Sequence, residues 1–255
     1  MKVLYFFSFL SLLLSCGTPG TAKPSRPAAG YVPISDSLPT EGYSITTSII
    51  DSNYTAVCTR VKLQKAKLAL ALDKGQVTLD SVSNFFTESY LNHILPHWYG
   101  TQWSFSGTTT KPGEGQIACS YLVSTTLYQI GFNLNRYKVA QQSPQNEALT
   151  YAYKDSLLYF SSPTGMIRTI QTGEQFKDGF YFVGLASSHV GLLLKRGGQV
   201  FFIHSNYVSG KTVIERANAS PVLLYYNSFY VAPLSHNAGL LKCWLNGTGI
   251  AVKTS

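Results

Sequence analysis

His189-Val190-Gly191-Leu192-Leu193-Leu194-Lys195-Arg196-Gly197-Gly198-Gln199-Val200-Phe201-Phe202-Ile203-His204-Ser205-Asn206 is the stretch whose reading decides the fold. Two apolar runs flank a Gly-Gly pair, which is the signature of two antiparallel strands joined by a tight turn. With a two-residue turn, Arg196 faces Gln199, so His189 lies opposite Asn206 and His204 opposite Gly191. A four-residue loop places His189 opposite His204 instead. Either register puts the side chains of His189, His204 and Asn206 on one face, because residues opposite each other in a ladder point the same way, whereas a three-residue loop would break this. The two imidazoles then stand within about 5 to 8 Å in Cβ terms.

Similar short runs rich in Val, Phe, Tyr, Leu and Ile surround this hairpin: Phe180 to Leu185, Val213 to Glu215, and Phe229 to Ala232. They read as further strands. Upstream, the spacing predicts helices. One is capped by Asp51 and runs to Leu72, and a second follows Asp80 and ends at Pro96. A third starts near Cys119, where Cys119, Leu122, Val123, Thr126, Leu127 and Ile130 fall on one stripe before the Gly131 stop. A fourth opens at Ser143-Pro144 with Glu147 in its first turn. Helices followed by strands predict an α+β domain, N-terminal helices packed on an antiparallel sheet.

A cysteine in the first turn of a helix feels unpaired backbone N–H groups and the positive end of the helix dipole, which favour thiolate. If that helix packs its Cys119 stripe on the strand face carrying His189, a thiol hydrolase can be assembled. Cys119 is then the nucleophile, His189 the base, and His204, or Asn206, the group that orients the imidazole. The competing reading is a core cysteine on an apolar stripe.

These residues resemble a known family. Gly115-Gln116-Ile117-Ala118-Cys119-Ser120-Tyr121-Leu122-Val123 looks like the nucleophile segment of the NlpC-type cell-wall peptidases, papain-like enzymes whose usual form reads Asp-Cys-Ser-Gly-Leu-Val. His189-Val190-Gly191-Leu192-Leu193-Leu194 is similar to that family's strand carrying the base, and Phe202-Ile203-His204-Ser205 to the strand supplying the third polar residue. The resemblance covers residues 103–204. It implies a papain-like fold, a Cys119, His189, His204 triad and hydrolysis of amide bonds in peptidoglycan peptides, by an endopeptidase or amidase without metal or other cofactor. It further implies an aromatic residue near the oxyanion site, matched here to Trp103, with Tyr99 as the weaker choice. Beside the resemblance, the Cys119 amide with Trp103 or Gln116 as side-chain donor would meet an oxyanion, and Tyr121 and Asn206 are candidate substrate contacts. Ala118 and Tyr121 depart from the family's Asp and Gly, which puts the scissile bond in doubt, and related CHAP-type amidases stay open. A reading of another class is a non-catalytic lipoprotein that uses a papain-like scaffold to bind cell wall or protein.

The chain start fits a cell-envelope location. Lys2 precedes an apolar run of about a dozen residues that ends in Leu13-Leu14-Ser15-Cys16, the pattern of an export signal. It is shorter than the roughly 20 residues a membrane span needs. The four residues also resemble a lipobox, which implies a signal peptide over residues 1–15 and a lipid on Cys16 as membrane anchor. Residues 16–45, rich in Gly, Pro, Ser and Thr, read as a tether, and 46–255 as the hydrolase domain with extra N-terminal helices.

The net charge of +8 comes from 20 basic and 12 acidic residues. No basic block gathers the excess, so nucleic acid has little support as a partner, while anionic envelope polymers suit it. With Cys16 assigned to the anchor, Cys58, Cys119 and Cys243 remain, which means one disulfide and one free thiol or three free thiols; Cys58 and Cys243 are the candidate disulfide. The five histidines make no zinc spacing, and no metal is required.

Overall fold

The computed structural model describes residues 53–254. The expected signal peptide, Cys16, the tether and Asp51 lie outside the described residues. Helix α1 (Tyr54–Asp73) is capped by Asn53, whose Oδ1 accepts the amide of Ala56. Helix α2 (Leu79–Ser89) starts at Thr78, whose Oγ1 accepts the amide of Ser81. It does not end at Pro96 as expected. A π turn over Tyr90–Ile94 carries the chain into α3 (Leu95–Trp98), where Pro96 stands in the first turn, a place that needs no proline N–H.

Strands β1 (Gln102–Trp103) and β2 (Gln116–Ile117) are two-residue pieces, followed by α4 (Cys119–Gln129), α5 (Arg136–Ala140) and α6 (Pro144–Ala152). Then come β3 (Leu158–Phe160), α7 (Pro163–Thr172), β4 (Gly179–Leu185), β5 (His189–Arg196), β6 (Gln199–Asn206) and β7 (Lys211–Arg216). Helix α8 (Pro221–Tyr225), β8 (Phe229–Pro233) and α9 (Ala238–Asn246) complete the described chain.

The protein is α+β. Its strands form one eight-stranded sheet in the order β2-β1-β7-β6-β5-β4-β8-β3. The sheet is mixed rather than purely antiparallel, because β1 and β2 pair in parallel at its edge. The central hairpin takes the two-residue turn: Arg196 faces Gln199, and Gly197 and Gly198 both have positive φ, 55° and 73°. That is the turn geometry for which Gly-Gly is suited.

Alternation along these strands builds two cores. On one face, Phe180, Phe182, Val190, Leu192, Leu194 and Ile203 pack against helices that bring Phe86, Tyr90, Leu122, Val123 and Trp244. On the other, Val183, Leu193, Phe202 and Phe229 pack with Met166, Ile170 and Leu223 of α7 and α8.

Cys58 and Cys243 are both free thiols, which corrects the candidate disulfide. Cys58 lies one turn from Tyr54 in the first turns of α1. Helix α9 meets α1 further along, where Lys65 donates to the carbonyl of Trp244, and the Cys243 thiol points to the carbonyl of Thr248 at 3.0 Å. Seven residues of helix separate Cys58 from Lys65, about 10 Å of rise, against a Cα separation of about 5.5–6 Å in a disulfide.

Candidate active site

The site grows from the end of the central hairpin. The β5–β6 ladder runs from Arg196↔Gln199 to Leu192↔Ile203, then stops before the strands do. Beyond it, β5 stays paired with β4 down to His189, and β6 stays paired with β7 up to Asn206. The two central strands therefore part, and the groups between them need other partners.

In this register the amides of even-numbered β5 residues face β6, so the Val190 N–H points into the gap. The Cys119 sulfur lies near it, close enough for the amide to favour its thiolate form. A thiol thus lies near the place a ladder carbonyl would have taken, next in sequence to His189. Helix α4 is held there by its entry segment: Ser205 on β6 donates to the carbonyl of Ile117 at 2.7 Å. Its N-cap is Ala118, which has no side-chain acceptor, so the first amides of α4 are left to other partners.

One expectation about this packing is corrected. Helix α4 covers the sheet face of Val190, Leu192 and Ile203, whereas His189 and His204 belong to the alternate face with Leu193 and Phe202. Cys119 meets β5 at the amide of Val190, the residue after His189, where β5 and β6 part, and does not stack over an imidazole-bearing face.

The two imidazoles do meet. His189 Nε2 and His204 Nδ1 are 2.8 Å apart, and His204 Nε2 is 3.2 Å from Glu215 Oε1 on β7. Glu215 Oε1 also accepts a hydrogen bond from Ser220. This chain of partners assigns the protons. His204 donates from Nε2 to the carboxylate, so in its neutral form Nδ1 accepts from His189 Nε2–H. Neutral His189 is left with its lone pair on Nδ1.

Gly191 makes the diagonal approach of the rings feasible. A Cβ there would stand 2.6 Å from the Phe202 ring and 3.0 Å from His204 Cβ. Phe202 in turn stacks on His204 with ring centroids 4.0 Å apart, and Tyr207 sets its ring edge-on to His189 at 5.4 Å.

Burial governs the charge states. His189 is 2% exposed and His204 fully buried. Burial pushes the His189 imidazole well below its ordinary value, with His204 adding to the effect. Burial also lowers His204, against the opposing pull of Glu215. The Cys119 thiol is pushed up, chiefly by burial, and less so by the charge of Glu147, while the amides of Val190 and Ser120 oppose. Burial thus favours a neutral thiol and a neutral imidazole, against the thiolate that a helix start favours.

An unfolded chain takes up protons on its histidines below about pH 6.5 that these two rings refuse when folded. Stability is therefore full above that pH and falls as pH drops through it. Thermal unfolding at pH 7.5 and pH 5 is expected to show this loss, and a His204→Gln chain should show less of it. Equal losses in both chains would remove His204 as its source.

The remaining candidates divide. Trp103 is near, its ring 6.2 Å from Tyr207, and so joins the rim on the His189 side. Gln116 is exposed on the edge strand, where its carbonyl accepts the amide of Thr109. Tyr121 packs against Arg136 and Tyr137. Asn206 does not orient an imidazole. Its Oδ1 accepts the amides of Val208 and Ser209 and so shapes the β6–β7 turn. Asn206→Ala is expected to cost about 1 kcal/mol of stability and to leave Cys119 alkylation unchanged; a changed alkylation rate would return it to the site.

Sequence reasoning missed Glu215, Glu147 and Tyr207. Glu215 was within reach of it, since Val213 to Glu215 reads as a strand following His204 by a short turn. No metal-binding group of three or more His, Cys, Asp or Glu occurs among the described residues.

Comparison with known proteins adds little. No family model matches the chain, and no curated protein does. Among solved structures, the crystal structure of protein LPG0564 from Legionella pneumophila str. Philadelphia 1, described with the family model DUF1460, is similar at 13% identity and a TM-score of 0.33. The match covers 71% of this chain and 97% of that one, and at that score it carries no argument about fold or activity.

Proposed function

We propose that the protein is a papain-like cysteine hydrolase of the cell envelope that cleaves amide bonds in peptidoglycan peptides. The observation that carries this reading is the polar line at the parted strands: the Cys119 sulfur near the Val190 amide, then His189, His204 and Glu215 in hydrogen-bonded sequence. A base oriented by a second polar ring, next to a thiol at a helix start, is the layout nucleophilic catalysis needs.

In the proposed reaction the Cys119 S–H proton moves to His189 Nδ1 as sulfur attacks the amide carbonyl. The oxyanion is met by the backbone amide of Cys119 at the start of α4. The imidazolium returns its proton to the leaving amine, and the C–N bond breaks to give a thioester. Water, deprotonated by His189, then releases the acid and restores the thiol. His204 and Glu215 hold the imidazole in the tautomer this requires. The lipid anchor on Cys16 and the tether to residue 45 would place the domain against its polymer. No helix among the described residues is long and apolar enough to cross a membrane.

The burial that keeps the thiol neutral favours a second reading, a scaffold that binds cell wall without cutting it. Digestion of purified sacculi with the detergent-solubilised chain, followed by mass analysis, separates the two. New amine and carboxyl ends at stem-peptide amides are expected. Co-sedimentation with the sacculi and unchanged fragment masses would establish the scaffold reading instead.

A further inference from the structure

Behind the Cys119 thiol lies an acid that the hydrolytic steps do not use. Glu147, the fourth residue of α6, is completely buried. Its Oε1 accepts from the hydroxyl of Ser120 at 2.6 Å, and its Oε2 has no hydrogen-bond partner. Ser120 is the residue after Cys119, so its hydroxyl, whose proton goes to Glu147, stands beside the Cys119 sulfur. Carboxyl, hydroxyl and thiol thus form one short line across the first turns of α4 and α6.

A buried carboxylate calls for a counter-charge, and none faces this one. On its own helix the neighbour is Tyr151, whose hydroxyl is also buried without a partner, and behind it Tyr90. Helix α4 contributes only Ser120 and Cys119. Strand β4 brings Phe182, packed on Tyr151, and Gly184, against Pro144. The Arg136 guanidinium of α5 is committed to Thr125, the carbonyl of Thr108 and the hydroxyl of Tyr137. The influences on the Glu147 carboxyl are burial, which pushes it up to about 8, and the opposing bond from Ser120.

We propose that Glu147 sets the charge state of the Cys119 site: as a neutral acid it leaves the sulfur free to ionise against His189, and as a carboxylate it holds the thiol protonated. This rests on reading Cys119 as the nucleophile. Glu147 touches no reacting atom and is a positioning residue acting through Ser120 and through space. The like charge of a carboxylate disfavours thiolate, so the restraint appears on the alkaline side, once Glu147 has lost its proton. A glutamine would serve equally well as a partner for Ser120, so anchoring alone does not call for an acid here.

The test is the rate of Cys119 alkylation by iodoacetamide between pH 6 and 10, read by peptide mass in the detergent-solubilised full chain. Glu147→Gln keeps the acceptor for Ser120 and removes the charge. Its profile is expected to rise about one pH unit earlier than that of the native chain, roughly tenfold faster on the rising limb. Glu147→Met should shift it likewise, whereas Glu147→Asp, which keeps the charge, should stay with the native profile. Native-like profiles in whichever of the Gln and Met chains fold would overturn the proposal, as would an Asp chain that moves with them. The assay needs no substrate, so uncut sacculi would defeat the hydrolase reading while leaving this result to stand or fall alone.

Discussion

A Cys119→Ala chain is expected to lose amide cleavage by about 10⁴-fold or more while remaining folded. The size follows from the role proposed for the sulfur. It is the atom that bonds to the carbonyl, and no neighbouring hydroxyl stands in its place: Ser120 is turned to Glu147. The fold should survive the change. Cys119 is partly exposed, while Val190 is 1% exposed, so losing the sulfur beside its amide costs about 1 to 3 kcal/mol. Side-by-side sacculus digestion and thermal unfolding check both halves. Cleavage that persists in the alanine chain would remove Cys119 from the chemistry, and a collapse of the fold would mean the residue is chiefly core.

Gly191→Val is expected to give the largest loss of stability of any single change at the site, about 3 kcal/mol or more, with a melting temperature lower by on the order of 10 °C. Its Cβ would meet the Phe202 ring at 2.6 Å and the carbonyl oxygen of Ile203 at 2.8 Å. Neither can yield. Phe202 is fully buried and stacked on His204, and the Ile203 carbonyl belongs to a backbone that is paired on both sides, to Leu192 and to Ile214. The relief open to the chain is to spread β5 from β6, which also lengthens the 2.8 Å contact of His189 with His204. Unfolding temperature measures the first effect, and the pH dependence of Cys119 alkylation the second. A melting temperature equal to that of the native chain would show that β5 and β6 spread at this point without cost.

How far the candidate site could be read in advance differs from residue to residue. Cys119 at a helix start and the shared face of His189 and His204 were both legible, the first from an apolar stripe broken by Gly131, the second from period-two alternation about Gly197-Gly198. Asn206 was assigned to the site because alternation puts it on the same face. Its position ahead of Tyr207-Val208-Ser209-Gly210 is equally a turn signal, and the turn took its side chain. Helices α5 and α8, of five residues each, were not seen, since so short a stretch carries no helical period.

The primary sequence alone determined an α+β chain and a tight turn at Gly197-Gly198, and for an even loop length which side chains of β5 and β6 share a face, because strand alternation is a local property of the backbone; the structure fixed the loop at two residues. Only the tertiary structure decided that α4 covers the opposite face, that its first sulfur enters where β5 and β6 part, and that Glu147, an ordinary first-turn acid by sequence, lies buried beside it. Those outcomes depend on which helix packs on which end of the sheet. Packing of that kind is settled by contacts among residues far apart in the chain, and no local pattern records it.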